Sequence, residues 1–261
     1  MNISLKGKNA LVGGSSKGIG KAAAIELAAL GANITLVSRS AESMSEIVHE
    51  LDNSQGQTHD FLVADFSNPE DLKKKAIALS LTKTIHILIN NTGGPKGGAI
   101  VNAQIDEFLQ ALNNHLVCNH LLTQTFLKGM KEAGYGRIIN VISTSVKQPI
   151  DGLGVSNTTR GAVANWAKTL ATEVAQFGIT VNNVLPGSTS TGRLSSIIKA
   201  RAEKKGISLE EEIEIWKNNV PAKRFAEPKE IGNAIAFLAT PAAAYINGIN
   251  LPVDGGRTKS L

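Results

Sequence analysis

A glycine-rich turn near the N-terminus is the part of the chain best suited to bind a phosphate group. The segment GGSSKGIG, residues 13–20, follows the apolar run 10–12 and precedes an alanine-rich stretch with helical spacing. Glycines let the backbone approach a pyrophosphate closely, and the N-terminus of the following helix offers free N–H groups and a partial positive charge. The glycine spacing is G-x-x-x-G-x-G and not G-x-G-x-x-G. We therefore predict a strand, a phosphate-binding turn and a helix; a loop that only needs flexibility is the alternative.

The elements that must position this turn alternate between strand-like and helix-like segments. Apolar runs predict six further strands, at 34–38, 61–65, 85–90, 137–142, 180–185 and 249–253. This alternation predicts an α/β fold, with a doubly wound parallel sheet of about seven strands and helices on both faces. Because no repeat or linker divides the chain, we predict a single domain over residues 1–261.

One long segment, residues 186–228, interrupts the alternation. Ser208 and Glu211 have the spacing of a capping box, which predicts the start of a helix. Its apolar residues share one face: Leu209, Ile213, Trp216 and Val220. A long insertion after the carboxyl end of a strand is typical of a substrate lid, and a permanently packed surface segment is the alternative.

Composition and charge narrow the class of protein. No apolar run is long enough to span a membrane, and the first residues lack the apolar stretch of a signal peptide. Cys118 is the single cysteine, which excludes an intramolecular disulfide, so we expect a cytoplasmic protein without membrane association. The net charge of +5 favours anionic ligands such as phosphates or an acidic carrier. The basic residues are scattered and no recognition motif accompanies them, so we expect no nucleic-acid partner and also no metal site.

Three further motifs make the sequence resemble the short-chain dehydrogenase/reductase family. The segment NNTG, residues 90–93, is similar to the Asn-Asn-Ala-Gly that follows the family's fourth strand, LPG at 185–187 to the Pro-Gly after its sixth, and VDGG at 253–256 to its last strand. Order and spacing fit along nearly the whole chain. The resemblance implies a single Rossmann-type domain, a nicotinamide cofactor and, commonly, a homotetramer. The cofactor-binding residues that it implies are Gly14, Ser16, Lys17, Gly18, Ile19, Gly20, Asn91, Gly93, Pro186, Gly187 and Thr189.

The residue after the second predicted strand indicates which nicotinamide cofactor is preferred. An acidic residue there would bind the ribose 2′-hydroxyl, whereas a basic one accepts a 2′-phosphate. This chain has Arg39, and Lys17 in the glycine turn adds a second cation. We therefore predict NADP(H), although Arg39 could instead be a solvated residue at a helix start. Asp65 matches the family's acidic contact to the adenine, with a helix-capping aspartate as the alternative.

The chain departs from the family's catalytic pattern, which consists of a serine, a tyrosine, a lysine four residues later and a supporting asparagine. Ser143 matches the serine, but Ser156 stands in place of the tyrosine and Arg160 in place of the lysine. His115 stands in place of the asparagine, although the neighbouring asparagines 113 and 114 leave a small shift open. The resemblance thus implies a catalytic set of Ser143, Ser156, Arg160 and His115.

These replacements change the proton chemistry. A serine hydroxyl is a far weaker acid than a tyrosine, and an arginine stays protonated and does not readily exchange a proton. His115 titrates in a suitable range and could serve as the acid, whereas a packed, hydrogen-bonded core histidine is the alternative.

Three functions remain open. The first is an NADP(H)-dependent oxidoreductase acting on a carbonyl or alcohol, with a 3-oxoacyl thioester as a candidate by analogy. The second is a catalytically inactive NADP-binding sensor or assembly subunit, and the third is a lyase or isomerase that uses the nucleotide structurally. By resemblance, helices near 111–130 and 163–174 would pair across two-fold axes in a homotetramer, unless both faces only cover their own sheet.

Overall fold

The structure is a computed structural model that describes residues 1–260. Its strands form one parallel sheet in the order β3-β2-β1-β4-β5-β6-β7. In chain order the strands are β1 (Asn9–Gly13), β2 (Asn33–Ser38), β3 (Asp60–Val63), β4 (Ile87–Asn90), β5 (Gly136–Val141), β6 (Ile179–Pro186) and β7 (Asn250–Val253). The seven predicted strands are confirmed, with ends that differ from the prediction by one or two residues.

The helices lie between the strands, as the alternating pattern predicted. They are α1 (Gly18–Ala29), α2 (Ala41–Glu50), α3 (Pro69–Ser80), α4 (Ile105–Leu112), α5 (Cys118–Glu132), α6 (Gly154–Val174), α7 (Gly192–Lys205), α8 (Leu209–Asn218) and α9 (Pro228–Ala239). Across residues 1–260, no helix is both long and apolar enough to cross a membrane.

Each face of the sheet has its own apolar core. Helices α1, α2 and α9 pack against one face, and α3, α5 and α6 pack against the other. Along β1, Ala10 and Val12 belong to the first core and Leu11 to the second, because successive strand residues point to opposite faces. A strand buried on both faces needs apolar residues at consecutive positions. The predicted parallel sheet with helices on both faces is therefore confirmed.

The strand order places a crevice between β1 and β4. From β1 the chain adds β2 and β3 on one side, and it then crosses over to add β4 to β7 on the other. In open parallel sheets, ligands bind in the crevice at the carboxyl ends of the strands where the order reverses. The glycine turn after β1 and the NNTG motif at the end of β4 meet at this point.

A row of asparagines crosses the second half of the sheet. Asn90, Asn140, Asn183 and Asn250 occupy matching positions on β4, β5, β6 and β7. The first three each donate their side-chain amide to the next, with N···O distances of 2.9, 2.8 and 2.8 Å. Most of the buried amide groups in the row are therefore hydrogen-bonded to one another. This avoids the free-energy cost of leaving polar groups unpaired inside the sheet.

Two helical segments differ from the predicted pattern. A π-helical turn, Asn113–Val117, separates α4 from α5 at the start of the stretch near 111–130 that was predicted as one helix. Segment 186–228 contains two helices, α7 and α8, where one was predicted. Ser208 caps α8 by accepting the N–H of Glu211, as predicted, but Val220 lies beyond the end of that helix. The missed α7 buries residues only at every fourth position, 194, 198 and 202, which is a weak apolar signal.

Candidate functional site

A cavity of about 1120 Å³ opens at the carboxyl ends of the strands, in the crevice between β1 and β4. Most of the predicted site residues line it together. They are Gly14, Ser16, Lys17, Gly18, Ile19, Arg39, Asp65, Asn91, Gly93, Ser143, Ser156, Arg160, Pro186, Gly187 and Thr189. Gly20 and His115 are the two predicted site residues that do not line it.

The glycine turn has the geometry of a phosphate cradle. Gly14 and Gly18 adopt φ values of +57° and +58°, which side-chain-bearing residues rarely adopt. A Cβ at Gly20 would collide with the carbonyl oxygen of Gly14, so the first turn of α1 packs directly on the loop. Asn91 holds the turn by donating to the carbonyl oxygens of Gly13 and Gly14 at 3.1 and 3.4 Å. The free N–H groups of α1 begin where a pyrophosphate would lie.

The end of the cavity beside β2 and β3 carries the residues predicted to select the cofactor. The Arg39 side chain is 80% exposed, and its Nη1 lies 4.0 Å from Oδ2 of Asp65. An exposed pair at this distance contributes little stability, so the arginine is available to an anionic ligand. The pKa of Asp65 is lowered chiefly because its carboxylate accepts the Ser67 N–H. Asp65 does not cap α3, since Asn68 is the N-cap of that helix.

Three serines at the same end were not predicted. Ser38, Ser40 and Ser43 line the cavity, and Ser40 is the N-cap of α2, accepting the Ser43 N–H at 3.3 Å. The N-terminus of α2 therefore faces the cavity beside Arg39. Ser40, two residues after the end of β2, was the sequence signal for the start of this helix beside Arg39.

Ser143 follows β5 and lines the opposite end of the cavity. Its Oγ accepts the N–H of Ser145 at 3.1 Å. A hydroxyl that accepts one hydrogen bond still has its own proton to donate. The Ser143 hydroxyl is thus oriented by the backbone and can donate to a ligand oxygen.

Ser156 and Arg160 lie one turn apart on α6, and both line the cavity. Ser156 is half-buried, whereas Arg160 is only 8% exposed. Nη1 of Arg160 donates to the Val141 carbonyl oxygen at 3.0 Å. The pKa of Arg160 is lowered to about 10, first because burial penalises the cation and then because Arg193 is near. The guanidinium stays charged at neutral pH.

His115 lies in the π-helical turn and is 2% exposed. It lines a separate cavity of about 330 Å³, which shares Gly93 and Gly94 with the large one. Burial, followed by the charge of Arg160, lowers the pKa of the His115 imidazole to about 2. The ring is therefore neutral at physiological pH, which argues against an imidazolium acid and favours a packed histidine.

Arg193 on α7 is a further cavity residue that the sequence reasoning missed. It is exposed, and it donates from Nη2 to the carbonyl oxygen of Pro95, in the loop after β4. No motif marked it, because only the fold brings α7 over that loop. Within residues 1–260, no group of three or more His, Cys, Asp or Glu is placed to hold a metal ion.

Comparisons with known proteins give consistent matches over the whole chain. A family model described as Enoyl-(Acyl carrier protein) reductase matches residues 14–258. The 3-oxoacyl-[acyl-carrier-protein] reductase FabG of Vibrio cholerae is 34% identical over 260 residues, covering 97% of this chain and 98% of that protein. The 2-dehydro-3-deoxy-D-gluconate 5-dehydrogenase of Bacillus subtilis is 35% identical over 254 residues, covering 97% and 96%.

Solved structures also match this chain along its full length. L-sorbose reductase from Gluconobacter frateurii, complexed with NADPH and L-sorbose, superposes with a TM-score of 0.92 and 30% sequence identity. The match covers 100% of this chain and 100% of that one.

Proposed function

The chain belongs to the short-chain dehydrogenase/reductase family, and we propose that it is an NADP(H)-dependent oxidoreductase that interconverts a carbonyl compound and an alcohol. One observation carries this proposal: a single cavity joins the glycine turn, the Arg39 end and the Ser143 end. Such a cavity can hold a dinucleotide along its length and a small substrate beside Ser143. The NADPH in the L-sorbose reductase structure supports the same cofactor class.

The residues present fit a dinucleotide that carries a 2′-phosphate. Added Cβ atoms at Gly14 and Gly20 would meet neighbouring protein atoms, so these positions need glycine for the turn to pack closely. No side chain of these glycines stands between the turn and a pyrophosphate. Arg39 and Lys17 would contact the 2′-phosphate, since an arginine offers a planar, bidentate phosphate partner. Ser40 at the start of α2 would add a hydroxyl and a helix N-terminus. Asp65 would lie against the adenine.

The chain's own residues would orient the carbonyl and stabilise the developing oxyanion. Bound NADPH would supply the hydride. Ser143 would donate its proton in a hydrogen bond to the carbonyl oxygen, because its Oγ is already held by the Ser145 N–H. Arg160 would place a full positive charge near that oxygen in a buried setting, where electrostatic stabilisation is strong.

The proton donor differs from the family's. Ser156 and Arg160 stand where the family has tyrosine and lysine, and neither releases a proton readily at neutral pH. His115 is neutral at that pH, so we assign it a positioning role beside Gly93, which lines the same small cavity. The proton that completes an alcohol would come from water or from the substrate. The proposed catalytic set is thus Ser143 and Arg160, which would both contact the carbonyl oxygen of the substrate. Ser156 lines the pocket beside them.

The relatives suggest two narrower substrate classes for the proposed reaction. The FabG relative favours a 3-oxoacyl thioester, and the gluconate dehydrogenase relative favours a sugar acid. We propose that segment 186–228 of a single domain acts as the substrate lid, since Thr189, Thr191 and Arg193 line the cavity from this segment. A homotetramer remains our expectation. The large apolar residues of α5 and α6 mostly pack against this chain's own sheet, whereas α4 carries exposed apolar residues that a partner subunit would cover.

A binding protein without hydride chemistry is the second candidate. The observation that favours it is that neither Ser156 nor Arg160 can act as a proton donor in the way a tyrosine does. Such a protein, a sensor or an assembly subunit, would bind NADPH with the same residues and turn nothing over.

The cofactor assignment is tested by titration. NADPH should bind more tightly than NADH, and Arg39→Asp should weaken NADPH by about 2–3 kcal/mol through a lost charge-assisted contact and added repulsion. Lys73→Asp, which reverses an exposed charge on α3 that does not line the cavity, is the matched control and should leave binding unchanged. Equal affinity of the unmodified protein for the two cofactors would contradict the assignment.

The reaction is tested by following NADPH absorbance while carbonyl compounds are added. Ser143→Ala should lower turnover by about 100-fold, a typical loss for one oxyanion donor. The double change Ser156→Tyr with Arg160→Lys should raise activity on generic ketones if the site lacks only its acid. If the unmodified protein binds NADPH but does not oxidise it, while the double variant does, the result would favour the second candidate, a binding protein without hydride chemistry.

A further inference from the structure

The two buried arginines of the described chain, Arg137 and Arg160, have very different surroundings. Arg137 is 2% exposed and donates to the carbonyl oxygens of Thr240, Gly136 and Gly178. Its guanidinium also stacks on the Tyr135 ring at 4.1 Å. Arg160 is 8% exposed but donates only to Val141 among the described residues. Most of its N–H donors therefore face the cavity without a protein acceptor.

A second guanidinium lies beside the first. A Cβ built on Gly94 would lie 3.6 Å from Nη2 of Arg160 and 3.7 Å from Nη2 of Arg193. Both cations thus border the same small space next to Gly94, one from α6 and the other from α7. The charge of Arg193 contributes to the lowered pKa of Arg160, so the two cations repel each other.

No carboxylate of the described chain neutralises this pair. Among the residues that line the cavity, the one carboxylate is Asp65, which lies beside Arg39 at the other end. The smaller cavity that shares Gly94 contains Glu107, whose carboxylate accepts the Gln104 N–H and forms no ion pair with either arginine. A buried cation without a counter-ion costs free energy, so the buried Arg160, with the exposed Arg193 beside it, provides a site for an anion. The space at Gly94 has no side chain of its own, so it can accept a small planar group.

We propose that Arg160 and Arg193 bind a carboxylate of the substrate, so that the substrate is a 2-oxo or 3-oxo acid and the product its hydroxy acid. The inference rests on the proposed function and names the substrate class of that site. Nη1 of Arg160 donates to the carbonyl oxygen of Val141, two residues before Ser143, and both Arg160 and Ser143 line the cavity, so one small molecule can reach both. The carbonyl carbon gains the hydride of NADPH, its oxygen gains one proton from water, and the carboxylate keeps its charge.

Arg193 is the specificity residue to test, because Arg160 also serves the oxyanion. The probes are a series of 2-oxo and 3-oxo acids, their methyl esters, and the N-acetylcysteamine thioesters of the 3-oxo acids. With the unmodified protein and NADPH, kcat/KM should be about 100-fold higher for acids than for their esters or thioesters, on the scale of a lost charge-assisted pair. Arg193→Gln should raise KM for the acids about 10–100-fold and lower the preference for acids over esters in kcat/KM by a similar factor.

Two variants control for other effects. Arg193→Lys keeps the charge but not the planar fork, and should retain part of the preference for acids. Lys199→Gln removes an exposed charge from the same helix and should change nothing. Circular dichroism and NADPH titration of each variant establish that it is folded. An Arg193→Gln protein that binds NADPH more weakly would assign Arg193 to the cofactor and overturn the inference.

A binding measurement separates this inference from the proposed function. Calorimetric titration of the acids into the NADP⁺-saturated protein needs no turnover. Acids that bind and lose binding in Arg193→Gln, without any NADPH oxidation, would support the anion site and overturn the proposed reaction. Esters or thioesters reduced as well as acids, with Arg193→Gln unaffected, would overturn the anion site and leave the reaction in place. No binding of any acid would also overturn the anion site.

Discussion

His115 should make the protein lose stability on mild acidification, and His115→Asn should remove that loss. The imidazole is 2% exposed and lies near the charge of Arg160, and these surroundings lower its pKa to about 2 in the folded state. In the unfolded chain the pKa returns to about 6.5. Below that value the unfolded state binds a proton that the folded state cannot, so acid favours unfolding.

The size of the effect follows from the two pKa values. At pH 7.5 the unfolded imidazole is almost wholly neutral, and His115 adds little pH dependence. At pH 4.5 the unfolded form is stabilised by about 2.7 kcal/mol, because this pH lies two units below its pKa and each unit contributes about 1.36 kcal/mol. The folded form is still neutral at pH 4.5, since its pKa is about 2. The stability that the neutral His115 contributes is therefore fully present above pH 6.5 and is lost steadily below it.

The assay is urea unfolding at fixed protein concentration across this pH range. The asparagine side chain of the variant does not titrate, so the stability difference between the two proteins should shift by about 2.7 kcal/mol between pH 7.5 and pH 4.5, in favour of the variant. The absolute loss from changed packing cancels in this comparison. His49→Asn removes an exposed histidine from α2 and should leave the difference constant. A difference for His115→Asn that does not vary with pH would refute the reasoning.

Three other measurements address the sheet, the turn and the reaction. Asn140→Leu should lower the free energy of unfolding in urea by about 3 kcal/mol, because the buried amides of its neighbours in the row lose their partner; a loss below about 1 kcal/mol would contradict this. Gly20→Ala should weaken NADPH binding by about 10-fold, since its Cβ collides with the Gly14 carbonyl, whereas Gly161→Ala meets no atom within 4 Å and should not. For an oxo acid, kcat/KM should vary less than about threefold between about pH 6 and 9, because the pKa values of His115 and Arg160 are about 2 and about 10; a bell-shaped profile would reveal an unassigned acid.

The strands and the cofactor turn could be predicted because their signals are local. A parallel strand covered on both faces must be apolar at consecutive positions, and a turn that packs on a helix must be glycine at fixed positions. The asparagine row shows the limit of that reasoning. Asn140 is polar inside an apolar run, and its partners on β4 and β6 are 50 and 43 residues away in sequence. Only the register of the sheet shows that the polar positions satisfy one another.

The reaction end was harder to predict for the same reason. The order of motifs along the chain was enough to select Ser143, Ser156 and Arg160, and the structure brings all three to one cavity. Arg193 belongs to no motif and reaches the cavity only because α7 folds back over the loop after β4. His115 was selected by its place in the sequence, but its burial, which keeps the ring neutral, depends on the π-helical turn.

An arginine in place of a lysine also alters what the site can demand of a substrate. A lysine can lend its charge to a neighbouring tyrosine and lower the pKa of that acid, whereas Arg160 has a serine one turn away, which is too weak an acid to profit. In the proposed reaction the charge of Arg160 would act directly on the substrate, with the second charge of Arg193 beside it. Two guanidinium groups stabilise an anion in the ground state as well as an oxyanion in the transition state, so only the part of the attraction that grows during reduction speeds the reaction. In the proposed complex both arginines hold the substrate carboxylate, and Arg160 would also attract the new charge on the carbonyl oxygen. The proposed preference for a charged substrate and the absence of the tyrosine acid are therefore linked through Arg160, which stands where the family has a lysine.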